Sequence, residues 1–135
     1  MSIKIVLDTN VLIGFLIGKI GAEFERLLLS NEVDLLYSSE LLEEFFDVLS
    51  RNKFQKYAVA EKLKLIEEAI EKFGKRIIVK TNVQLCRDPD DDFLLSICLD
   101  GGADYLITGD HDLLDLQNIG HTQIITFAQL RERLR

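Results

Sequence analysis

Four carboxylates carry most of the chemistry open to this chain. Asp8 closes an apolar run, Ile5-Val6-Leu7, and Asp110 follows a second run, Tyr105-Leu106-Ile107-Thr108, by two residues. Both runs read as strands, and in open parallel sheets ligands bind outside the carboxyl ends of strands. Glu44 lies in a helical stretch. Projected at about 100° per residue, Leu41, Leu42, Phe45, Phe46, Val48 and Leu49 fill one arc of that helix. Glu40, Glu43, Asp47, Ser50 and Arg51 fill the other, and Glu44 borders the apolar arc, about 40° from Val48. In the run Asp88-Pro89-Asp90-Asp91-Asp92, a helix beginning at Pro89 puts Leu94, Leu95 and Cys98 three, four and seven residues beyond Asp91. Asp91 then faces inward from the first turn, while Asp92 shares the outer face with Ser96. Three of the acids also have a plainer use: Asp8 and Asp110 as helix caps, and Asp91 as a capping-box acid behind Asp88. Gathered at one sheet edge, however, Asp8, Glu44, Asp91 and Asp110 repel one another unless a cation sits among them. A ligand set of oxygens, with no histidine or thiol, suits Mg2+ or Mn2+. Such an ion activates a water and stabilises charge on a phosphodiester oxygen. Thr9, Asn10 and Thr108 stand beside these acids and can orient carboxylates or waters.

The elements that must position them alternate along the chain. Strands are expected at Ile3–Leu7, Val33–Tyr37, Ile77–Val79, Tyr105–Thr108 and Gln123–Thr126. Helices are expected from about Val11, over Ala22–Leu29, from a cap at Ser38 or Ser39 to about Arg51, and over Val59–Phe73. Two more follow at Pro89–Gly101, with Asp88 as cap, and at Phe127–Leu134. The pattern implies an α/β fold with a mainly parallel sheet. Ile5-Val6-Leu7 is apolar on both faces, as a central parallel strand must be.

A length of 135 residues is one domain's worth, spanning 1–135. With 47% hydrophobic and 29% charged residues the chain has ample core material, which excludes a disordered protein. The longest apolar stretch, Val11 to Gly18, is too short to span a membrane. The start, Met1-Ser2-Ile3-Lys4, lacks a secretory layout. Cys86 and Cys98 form no C-x-x-C and read as reduced thiols of a cytoplasmic protein. The net charge of −7 argues against nucleic acid as a partner, but its distribution is uneven. Arg51 to Lys80 holds nine basic and four acidic residues, whereas Asn82 to Asp115 holds one basic and nine acidic. The basic block is either a solvated helix face or a surface for an RNA backbone. His111, next to Asp110, reads as an exposed loop residue in preference to a substrate contact, His121 as part of a turn, and Tyr37, Tyr57 and Tyr105 form no base-stacking pattern. A phosphoacceptor receiver would need a lysine after a late strand, where this chain has Thr108-Gly109 and Thr126-Phe127. A dehalogenase-type phosphatase would need a second Asp at position 10, which is Asn.

Val6-Leu7-Asp8-Thr9-Asn10-Val11-Leu12-Ile13 resembles the opening motif of PIN-domain ribonucleases, and Ser39-Glu40-Leu41-Leu42-Glu43-Glu44 their second. Arg87-Asp88-Pro89-Asp90-Asp91-Asp92 and Gly101-Gly102-Ala103-Asp104-Tyr105-Leu106-Ile107-Thr108-Gly109-Asp110 resemble the third and fourth. The likeness runs from about Ile3 to Phe127 and is greatest to the toxins of prokaryotic toxin–antitoxin pairs. It implies a three-layer α/β/α sandwich with a central parallel sheet and metal-dependent endonucleolysis of RNA by water. It implies an antitoxin partner and a homodimer. It carries Asp8, Glu44 and Asp91 over as metal ligands, with Asp110 as the fourth acid. Family members often have a non-acidic residue where this chain has Asp92, so Asp91 and Asp92 remain alternatives as ligand. A non-catalytic PIN-like module that binds RNA or a protein is the second reading.

Overall fold

The first strand, β1 (Ile3–Leu7), is buried on both faces from Ile5 onward, and that is why it sits at the centre of the sheet. The computed structural model describes residues 2–17, 21–49, 51 and 60–134. β1 pairs in parallel with β2 (Val33–Tyr37) on one side and with β4 (Tyr105–Ile107) on the other. Outside them lie β3 (Lys75–Arg76) next to β2, and β6 (Thr122–Ile125) next to β4, both parallel to their neighbours. Among the described residues only β5 (Asn118–Ile119), a hairpin partner of β6, runs antiparallel, and the strand order is β3-β2-β1-β4-β6-β5.

Alternation along the strands divides the core in two. Ile5, Leu7, Leu35, Tyr37, Ile107 and Ile125 point to one face. There they meet α1 (Thr9–Ile17), α2 (Gly21–Leu29), α3 (Ser39–Leu49), α4 (Ala60–Phe73) and α7 (Phe127–Arg133). Val6, Leu36, Leu106 and Ile124 point to the other face, against α5 (Pro89–Gly101) and α6 (His111–Leu114). The result is a three-layer α/β/α fold. Local chemistry sets the helix starts that matter most. Ser38 Oγ accepts the Leu41 amide at 3.0 Å and opens α3. Asp88 accepts the Asp90 amide at 2.9 Å, Pro89 occupies the first position of α5, and Gly102, with φ +63°, ends it.

Three expectations need correction. No strand forms at Ile77–Val79; the edge strand is Lys75–Arg76, because β2 ends at Tyr37 and the last ladder bond runs from the Ile77 amide to the Tyr37 carbonyl. The chain continues as an extended strap, 77–86, laid antiparallel along α5. The final strand begins at Thr122 and pairs with a hairpin strand, β5, that apolar alternation did not show because it is two residues long. A short helix, α6, follows Asp110, and the exposed His111 is its first residue rather than part of a loop. Val59 and Tyr57, expected at the start of the fourth helix and in the basic block, lie outside the described residues. Among the described residues, no helix is long and apolar enough to cross a membrane.

Candidate active site

Asp8 follows the last residue of β1, and its amide donates to the Ile107 carbonyl of β4 at 3.0 Å. The Thr108 amide in turn donates to the Ile125 carbonyl of β6, also at 3.0 Å. The parallel pairing of these strands thus places Asp8 and Thr108 side by side although they are 100 residues apart. The Thr108 hydroxyl, fully buried, donates to Asp8 Oδ2 at 2.7 Å and accepts the Asp110 amide at 3.0 Å. One hydroxyl therefore fixes two of the four acids. Asp8 Oδ1 accepts the Asn10 amide at 3.1 Å, and Asp110 accepts the Asp112 amide at 2.9 Å. Both acids do serve as helix caps, as their plainer reading required, but each does so through one named oxygen.

Glu44 reaches the same edge from α3. It is half-buried, whereas Glu40, Glu43 and Asp47 on that helix are exposed, in line with its place beside the apolar arc. The Thr9 hydroxyl donates to Glu44 Oε2 at 3.4 Å and so ties α1 to α3. Burial, then the charges of Asp90 and Asp8, raise the Glu44 carboxyl above its ordinary pKa. Asp91, half-buried at the start of α5, is pushed up to about 6 by burial and by the charges of Asp110, Asp88, Asp8 and Asp112. Each raised value has a like charge among its causes, which means that the acids of four separate stretches feel one another. Neither of the ion pairs found among the described residues, Lys75–Asp34 and Arg131–Glu23, involves any of them.

Asp92 departs from its expected position. Its face of α5 is not turned to open solvent but lies under the strap: Asp92 Oδ1 accepts the Leu85 amide at 2.9 Å and the Cys86 amide at 2.7 Å. Those bonds hold its carboxyl below the usual range. Ser96, expected to share an outer face, is buried and accepts the Val83 amide at 3.2 Å. Asp92 therefore carries a structural task, and Asp91 is the acid of this pair that senses Asp8 and Asp110. Sequence reasoning missed Asp90, which raises the Glu44 carboxyl through both its charge and a hydrogen bond. The only available signal was its membership of the acidic run, since helical projection selected inward-facing positions alone. Cys98, buried, and Cys86, half-buried, are free thiols pushed up to about 12 and about 11, chiefly by burial. His121 meets the Gly102 carbonyl at 3.3 Å, a structural contact at the end of α5.

The donor set fits a hard divalent cation: carboxylate oxygens, hydroxyls beside them and mutual repulsion that such a charge would relieve. Among the described residues, no three of these groups stand close enough to hold a metal ion as they are placed. The profile of the PIN domain matches residues 4–112, a span that contains Asp8, Glu44, Asp91 and Asp110. The chain belongs to the PIN domain family. PIN domains are generally nucleases, and PIN nucleases usually use divalent metals. This PIN domain is also 35% identical over 122 residues to the uncharacterized protein MJ1680 of Methanocaldococcus jannaschii, a match that covers 87% of this chain and 77% of that protein.

Proposed function

We propose that this PIN domain is a magnesium- or manganese-dependent endoribonuclease, the cytoplasmic toxin of a type II toxin–antitoxin pair. What supports this reading is that Asp8 and Asp110 share the Thr108 hydroxyl, that Glu44 is bound by the neighbouring Thr9, and that like charges help to raise Glu44 and Asp91. Those four carboxylates are the residues that would hold the ion. A divalent ion held there supplies an activated water and positive charge opposite the phosphodiester oxygens. The chain's own part is positioning. Thr108 orients Asp8 and anchors the loop of Asp110, while Asn10 donates its amide to Asp8 and Thr9 steadies Glu44. These bonds fix each carboxylate on its own element, and an ion bound there would have to draw them together.

The toxin assignment rests on the likeness of the four motifs to such toxins; with it go an antitoxin that inhibits the enzyme and a homodimeric state. The test is direct. Purified chain, free of any partner, is expected to cleave single-stranded RNA with Mn2+ or Mg2+, to stop in EDTA, and to lose activity in Asp8→Asn. Absence of cleavage with either metal, with Asp8→Asn indistinguishable from wild type, rejects the reading. One observation favours the second reading, a non-catalytic module that binds RNA or protein: the described carboxylates are not already drawn together at metal spacing. Calorimetric titration with Mn2+ separates the two, since a binding module gives no heat.

A further inference from the structure

The strap is an unusual piece of surface. From Lys75 to Arg87 the sequence has four cations, Lys75, Arg76, Lys80 and Arg87, and no acid, in a chain of net charge −7. All four are exposed. The strap starts at the edge strand β3, runs along α5 and delivers Arg87 next to Asp88, the cap of α5, one turn from Asp91. Its Cys86 amide donates to Asp92 at 2.7 Å, so the strap ends beside the first turn of α5, where Asp91 lies. Three acceptors spaced four residues apart on one face of α5 fasten it: Asp92 takes the Leu85 and Cys86 amides, Ser96 the Val83 amide, and Asp100 the Lys80 and Thr81 amides. From Asp92 to Asp100 the fastening spans about 12 Å of helix, the length of a few stacked nucleotides at a rise of about 3.4 Å.

We infer that the strap and its two flanks, through Arg76, Lys80 and Arg87, form the surface that holds the sugar–phosphate backbone of single-stranded RNA and leads it to the acid cluster. This inference rests on the nuclease reading for its substrate. Physically, a cluster of uncompensated carboxylates repels a polyanion, so binding has to come from cations alongside, and among the described residues the strap with its flanks is an acid-free stretch with several exposed cations that reaches the start of α5. The acids behind it, Asp92 and Asp100, are already engaged by backbone and hydroxyl donors. Ile78, 71% exposed, and Leu85, 65% exposed, lie on the same surface and could suggest a peptide instead. A peptide strand needs a free row of backbone groups. Here five amides, those of Lys80, Thr81, Val83, Leu85 and Cys86, are already bonded to α5 and are not free to pair with a peptide strand.

The test is fluorescence anisotropy of the full chain with a labelled single-stranded oligoribonucleotide in EDTA, so that binding is read without cleavage. The triple variant Arg76→Gln, Lys80→Gln, Arg87→Gln should bind roughly tenfold or more weakly at low salt. Its slope of log affinity against log salt should become shallower by about 2, at about 0.7 per lost phosphate contact. Lys75 is left intact because it pairs with Asp34 at 3.0 Å. Lys64→Gln, on the exposed side of α4, should bind as wild type does. Matching thermal melts exclude misfolding as the cause. The inference is overturned if wild type fails to bind RNA, if Lys64→Gln weakens binding as much per charge, or if the triple variant binds like wild type. Strap-dependent binding without metal-dependent cleavage would remove the nuclease reading and leave this one standing; cleavage that ignores the triple variant would do the reverse.

Discussion

Replacing Thr108 by valine tests the organisation of the site most sharply, because the change keeps shape and deletes one hydroxyl. That hydroxyl is buried and makes two bonds, one given to the Asp8 carboxylate at 2.7 Å and one accepted from the Asp110 amide at 3.0 Å. A hydrogen bond to a charged group contributes about 1.5–3 kcal/mol, and an amide left without its partner costs about 1 kcal/mol or more. Valine's extra methyl recovers part of this. The net loss is about 3 kcal/mol, or about 10 °C in melting temperature for a chain of this length. Thr108→Ser keeps both bonds and loses one buried methyl, for about 1 kcal/mol. Thermal melts followed by circular dichroism give the stability difference. Calorimetric titration with Mn2+ gives the second readout, since a residue that orients a ligand typically changes metal affinity 10- to 100-fold. Should Thr108→Val melt within about 3 °C of wild type and bind Mn2+ as tightly, Thr108 does not organise Asp8 and Asp110.

Two further perturbations follow from the same geometry. Asp91 has a folded-state value of about 6 against 3.8 for an ordinary Asp, so the folded chain takes up its proton first; without metal, stability rises as pH falls through that interval. Solvent screening at this half-exposed position holds the effect to about 1 kcal/mol, and Asp91→Asn should melt a few degrees above wild type in EDTA at neutral pH, the gap closing near pH 4. Equal melts at both pH values would remove the claim of mutual repulsion. Gly102→Ala places a methyl where no neighbour lies within 4 Å but forces alanine to φ +63°, so it should cost about 1 kcal/mol through backbone strain alone, read as a fall of about 4 °C. An unchanged melting temperature would mean that the left-handed end of α5 is not maintained in solution.

Local rules decide what local residues settle. The apolar run Ile5-Val6-Leu7 identified the central strand, because a strand covered on both faces has no polar alternation. Asp88-Pro89 and Gly101-Gly102 bracketed α5, because capping and left-handed backbone are properties of single residues. Glu44 could be singled out among the five acidic and polar residues of α3 by its angle alone. Tertiary structure decided the rest. The pairing of β1 with β4 brings Thr108 to Asp8, and no spacing in the chain encodes a hydrogen bond across 100 residues. The same holds for Asp92: a helical projection describes a cylinder in water, and it cannot see the strap that covers one side of α5 and takes that carboxylate for its own amides. Asp90 meets Glu44 only because the starts of α5 and the middle of α3 converge at the sheet edge. Residue type and periodicity therefore named the acids, while the non-local packing of strands and strap determined which of them act on one another.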